Sequence, residues 1–127
     1  MKKQIIILVI SLVIIIFCGI WELNYLDKTS MYLKSDVNSV RNFIQNNNFD
    51  MALNAYNNME NTWNSMTYLW NIFINHERVD YLEETMVLLK TNIEIQERDE
   101  AIEQANRLEH IISQVVDKQK PTFEHVL

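Results

Sequence analysis

Residues 70–80 read WNIFINHERVD. This stretch decides between two architectures. His76, Glu77 and Asp80 lie close enough to begin a metal site or an acid/base pair. Asn75 followed by Glu77 is also how a helix starts: the amide side chain caps free backbone N–H groups, and the carboxylate sits against the positive end of the helix dipole. On the second reading the stretch is a corner. Trp70 and Phe73 then finish the core face of one helix, and Val79 opens the core face of the next.

The flanking sequence favours the corner. Towards the N-terminus, Phe49, Ala52, Tyr56, Met59, Trp63, Met66, Trp70 and Phe73 are spaced alternately by three and four residues, the period of a helix face. Asn48 is the expected N-cap of this helix, which at about 1.5 Å per residue is about 36 Å long. Towards the C-terminus, Val79, Leu82, Met86, Leu89 and Ile93 form a further seam. Another runs through Ala101 or Ile102, Ala105, Leu108, Ile112 and Val115 and fades at KQKP, before Pro121. Upstream, Leu23, Leu26, Ser30, Leu33, Val37, Val40 and Ile44 make the first seam, broken by QNNN at residues 45–48. One Gly and one Pro in 127 residues leave little for the turns that hairpin sheets need, so the composition also favours helices. Trp63, Met66 and Trp70 fall on the inward stripe, where an aromatic core is expected rather than a cofactor pocket.

Shifting the chain by 49 positions places Leu33, Val37, Val40 and Ile44 on Leu82, Met86, Leu89 and Ile93, and FDMALNAYNNME on RDEAIEQANRLE. A whole number of heptads accounts for part of the match. The coincident turn and the shared D-x-A-(L/I) opening go beyond phase, and they predict two copies of a helical hairpin. The opening is like that of a tetratricopeptide second helix, but the period of that repeat is missing.

The N-terminal flank sets the location. MKKQ precedes IIILVISLVIIIFCGIW, residues 5–21, which carries no charge. At about 25 Å of helix, and nearer the roughly 30 Å of a bilayer core with two further residues, the run is long enough to span. A cleaved signal peptide has a shorter apolar region and a small-x-small cleavage site. Phe17 to Ile20 offer no such pattern, and Phe17 argues against lipidation of Cys18. An uncleaved signal-anchor is the favoured reading. Lys2 and Lys3 before the run, against Glu22 and Asp27 after it, place the N-terminus in the cytoplasm and the remainder outside. Trp21 and Tyr25 stand where an interfacial aromatic belt is expected.

Little in the sequence supports chemistry. A formal net charge of -6 and the lack of a basic stripe argue against nucleic acid. The single cysteine, Cys18, excludes an intramolecular disulfide. A zinc-protease helix needs His-Glu-x-x-His, whereas HERVD replaces the second imidazole with Asp80. His76 and Asp80 share a prospective face, and nothing brings His110 or His125 to them. The acidic run EIQERDEAIE lacks the Gly and the ligand order of a calcium loop. No phosphate loop or nucleophile elbow occurs.

FINHERVD at residues 73–80 and WELNYLD at 21–27, between the KK start and the Ala-bearing last helix, resemble the domain of unknown function 4363 family. Arg78 departs from its commoner acidic residue. The resemblance implies small proteins of spore-forming Firmicutes with a single-pass anchor, an extracytoplasmic helical domain and no assigned activity, and it suggests a membrane partner.

The expectations are therefore an all-α chain in which a transmembrane helix continues into an extracytoplasmic antiparallel bundle of three to four helices. Residues 1–4 are cytoplasmic, 5–23 span, 24–120 form the domain and 121–127 a tail. The expected function is that of an interaction module, not an enzyme and without a cofactor. It binds the bilayer and a membrane or envelope protein, with self-association as a further mode. A ligand-sensing or metal-binding ectodomain is the alternative. Interaction candidates are His76, Glu77, Asp80, Trp70 and Trp63, and His76 and Asp80 are also the metal candidates.

Overall fold

The computed structural model describes residues 1–119; the expected tail at 121–127 and His125 lie outside them. Those residues form four helices and no strand: α1 (Lys2–Gln45), α2 (Phe49–Phe73), α3 (His76–Glu94) and α4 (Arg98–Gln119). α1 runs unbroken through the boundary expected at residue 23, so the apolar run and the first seam are one rod of 44 residues. Its most apolar 18-residue window has a mean hydropathy of 2.9 with none of it buried, which makes it long and apolar enough to cross a membrane.

The remaining length of α1 packs with the other helices as a bundle. α1 touches α2 and α4, and α3 touches α2 and α4, which closes a ring; α2 and α3 make the lightest contact of the four pairs. The core is the set of seams read from periodicity. Leu26, Leu33, Val37, Val40 and Ile44 from α1 meet Ala52, Tyr56, Met59, Trp63, Met66 and Trp70 from α2. Val79, Leu82, Met86, Leu89 and Ile93 of α3 and Ala101, Ala105, Leu108, Ile112 and Val115 of α4 complete it. Removing a large aliphatic side chain from water contributes about 1.5–3 kcal/mol, so these four stripes dominate the stability of the fold.

Turn chemistry explains where the helices stop. Asn47 takes φ 59° and Gln96 φ 60°, the left-handed conformation that ends a helix. At the first turn the Asn48 N–H donates to the Phe43 carbonyl at 2.9 Å and Asn47 to Ile44 at 3.0 Å. At the second, Glu97 donates to Asn92 at 2.9 Å and Gln96 to Ile93 at 3.1 Å. Both are Schellman turns, with a side chain accepted at the position that usually takes Gly. Every partner in one is 49 positions from its counterpart in the other, so the sequence match at that shift extends to backbone hydrogen bonds.

The corner between α2 and α3 is built differently. Ile74 is extended (φ -121°, ψ 150°), and the Asn75 side chain accepts from the Glu77 N–H at 3.0 Å. Ile74 and Val79 stand before the cap and four positions after it, the arrangement of a hydrophobic staple, and both are buried. The Asn48 side chain likewise caps α2 by accepting from Met51 N–H at 3.3 Å. Both asparagines thus hold the roles their sequence positions imply.

Candidate functional site

Two features stand out beyond the core: an aromatic corner at the end of the bundle nearest the apolar run, and a groove between α2 and α3. At the corner, Trp21 stacks on Tyr25 with ring centroids 5.7 Å apart. Phe73 meets Trp21 edge-on at 5.8 Å and Tyr25 at 6.2 Å. Burial pushes the Tyr25 phenol above its ordinary pKa. The last turn of α2 is therefore clamped to α1 at the point where the rod enters the bundle. One turn deeper, the fully buried Trp70 donates its indole N–H to Thr29 Oγ1 at 2.9 Å. Thr29 Oγ1 in turn donates to the Tyr25 carbonyl at 2.7 Å. A buried indole N–H needs a partner, and Thr29 supplies it.

His76 and Asp80 do share a face, as their spacing requires. His76 Nε2 lies 3.6 Å from Asp80 Oδ2, and both side chains are largely exposed. An exposed pair of this kind contributes little to stability. The restraint at the corner comes instead from Asn75, Ile74 and the aromatic trio. Glu77 is exposed in the first turn of α3, and His110 is exposed on α4. Among the described residues no three His, Cys, Asp or Glu side chains are grouped to hold a metal ion.

The second feature was not visible from periodicity. Tyr56, Glu60, Trp63, Asn64, Glu83, Met86, Val87, Lys90, Thr91 and Glu94 line a groove of about 430 Å³. Trp63, expected as core, is both core and groove wall: it is buried, meets Trp70 edge-on at 5.3 Å, and donates its indole N–H to Glu83 Oε1 at 3.2 Å. Tyr56 is only 3% exposed. Burial first, then the carboxylates of Glu60 and Glu94, push its phenol up to about 12. No hydrogen bond to the Tyr56 hydroxyl is made among the described residues.

A signal for this groove exists in the 49-residue shift. Tyr56 corresponds to Ala105, Trp63 to Ile112, Lys90 to Arg41 and Glu60 to Glu109. Where α1 meets α4, the small residues Ala101 and Ala105 are fully buried. Arg41 there forms an ion pair with Glu109 and donates to Asn106 Oδ1 at 3.0 Å. Arg98 adds a contact to the Gln45 carbonyl at 3.4 Å. In the other pair Ala101 has the equally small Ala52 as its counterpart, but Tyr56 and Trp63 of α2 stand where α4 carries Ala105 and Ile112, and no ion pair joins Lys90 to Glu60 among the described residues.

Fold and site together define a class: an all-helical bundle, one helix of which is long and apolar enough to cross a membrane. Within that class the chain belongs to the family described as Domain of unknown function (DUF4363), whose family model matches residues 20–126. The match begins where the apolar run ends, so it is the bundle that carries the family resemblance. No curated protein and no solved structure matches the chain.

Proposed function

We propose that this protein is a membrane-anchored interaction module. A single-pass helix leaves the N-terminus in the cytoplasm and holds an extracytoplasmic antiparallel bundle against the outer face of the membrane, where it binds another membrane or envelope protein. One observation carries the reading: the same unbroken helix supplies both the exposed apolar run and one wall of the core. A tethered catalytic domain does not need this continuity. A module that must keep a fixed height and attitude at the bilayer does.

The aromatic corner fits that role. Trp21 and Tyr25, packed on each other and on Phe73, stand at the end of the apolar run, and amphipathic rings such as theirs favour a membrane interface. Tyr68 and Ile72 are exposed on the last turns of α2 and Tyr81 on the first turns of α3. A partner rising from the same membrane meets these residues first, together with His76 and Asp80. Cross-linking in native membranes followed by affinity purification tests the proposal. The expected product is a heteromeric complex whose cross-links map to α2 and α3 near the corner. Recovery of the protein alone, as a monomer in mild detergent, counts against it. The topology has its own check: a cysteine introduced near the C-terminus should react with an impermeant reagent added from outside. Labelling only after the membrane is opened removes the proposed orientation.

A further inference from the structure

We propose that the groove between α2 and α3 is a binding site for a small organic cation: an ammonium head on an apolar body.

Three observations carry this. First, the polar groups of the groove are unequally satisfied. The Trp63 indole N–H has Glu83, and Trp70, just behind it, has Thr29. Tyr56, 3% exposed, lines the groove with a hydroxyl that no described residue binds. That hydroxyl opens on the groove, where a guest carrying an N–H donor can give it the hydrogen bond that no described residue supplies.

Second, the charge is lopsided. Glu60, Glu83 and Glu94 line the groove against Lys90 alone. Glu83 is engaged by the Trp63 indole, which leaves Glu60 and Glu94, lining the groove with Tyr56, to meet a positive head. Both carboxylates act on that phenol, holding its proton more tightly. An anion would face this field unfavourably. No three acidic or imidazole side chains converge among the described residues, so the field suits a diffuse cation rather than a bare divalent ion, which needs several oxygens in its first shell.

Third, the walls are aromatic and soft. Tyr56 and Trp63 supply aromatic wall, which attracts a cation, and Met86 and Val87 supply apolar surface for its body. A volume of about 430 Å³ lies in the usual range for a small-molecule site. The opening is not generic to the fold, because Ala105 and Ile112 at the matching positions leave the other junction packed. This site does not depend on the anchor or on any protein partner.

The test uses the full chain in detergent micelles at neutral pH and constant ionic strength, titrated with benzylammonium chloride and, in parallel, with benzyl alcohol. Binding is read by calorimetry and by tryptophan fluorescence. The expected result is a saturable isotherm for the cation and none for the alcohol. Replacing Glu60 and Glu94 together by Gln should weaken binding roughly tenfold, and Tyr56→Phe should weaken it by a few fold. Both changes should leave the circular dichroism spectrum intact, since they remove no core volume. Lys90→Ala should strengthen binding, which loss of folding cannot mimic. A response that does not saturate, equal binding of benzyl alcohol, or an affinity unchanged in Glu60→Gln/Glu94→Gln overturns the proposal.

Discussion

The two junctions at which the N-terminal helix pair meets the C-terminal pair, α1 against α4 and α2 against α3, draw on matching positions and end in opposite states. At α1–α4, Ala101 and Ala105 let the helices close, and Arg41 ties them through Glu109 and Asn106. At α2–α3, Ala52 keeps the place of Ala101, but Tyr56 stands for Ala105 and Trp63 for Ile112, and the junction opens into a groove. The difference comes from side-chain volume, since the backbone turns that define the two pairs share one hydrogen-bond pattern. A heptad fold specifies which faces meet. The residues at those faces decide how closely they approach.

If the aromatic residues of α2 prop the groove while forming the core behind it, Trp70 is the most sensitive position. Trp70→Ala removes a fully buried ring, its edge-on contact with Trp63 and the Thr29 bond. A loss of about 3–5 kcal/mol is expected, measured by urea denaturation of the full chain in micelles. A loss under about 1 kcal/mol would mean that the groove wall is not anchored to the core.

The two junctions also differ in pH response. Tyr56 is neutral in both states at neutral pH. As pH rises from the ordinary tyrosine value of 10.0 to about 12, the unfolded chain gives up this proton while the folded chain retains it. Stability is therefore full below the lower value and falls across that window. The loss specific to Tyr56 is about 2–3 kcal/mol once the folded phenol ionises. Tyr56→Phe should remove this part of the alkaline decline, read as the difference between the two proteins' denaturation midpoints at each pH. Parallel curves would show that the phenol is not held as described. The closed junction has no counterpart, because Ala105 stands in that place.

Transplanting the bulk tests the comparison directly. Ala105→Tyr forces a ring into a packed interface and should cost about 1–3 kcal/mol through overpacking. If the variant is instead as stable as the parent, the α1–α4 junction has spare room, and side-chain volume does not explain why one junction is open.

Much of this was legible in the sequence because period and cap chemistry are local. The three-four spacing located the seam residues, and Asn48 and Asn75 announced their caps. Thr85, Asn92 and Ile111 were missed although all are buried: a globular helix buries a stripe wider than a strict heptad seam, and each sits beside a seam residue. His76 and Asp80 were rightly placed on one face, but exposure is a property of the packed bundle, and no spacing rule could show that they point to solvent. The groove was out of reach for a related reason. Periodicity assigned Tyr56 and Trp63 to the inside without saying what lay opposite. Only the comparison with Ala105 and Ile112 shows that these rings are larger than the side chains at the matching places of the other junction.

The smallest expected effect separates the two junctions by charge. Arg41 and Lys90 are counterparts, as are Glu109 and Glu60. The Arg41 side chain is 17% exposed and Glu109 41%, so solvent screens the pair, and Arg41→Ala should cost no more than about 1 kcal/mol. Part of that cost is the lost packing of its aliphatic stem. Lys90→Ala removes a cation from a groove with excess carboxylate and no ion pair to Glu60, so its effect on stability should lie within about 0.5 kcal/mol of zero. Adding Glu109→Ala to Arg41→Ala and Glu60→Ala to Lys90→Ala completes two double-mutant cycles. A coupling in the first and none in the second is the expected pattern. Equal couplings would show that Lys90 reaches Glu60 across the groove, and the junction would then be closed at its rim.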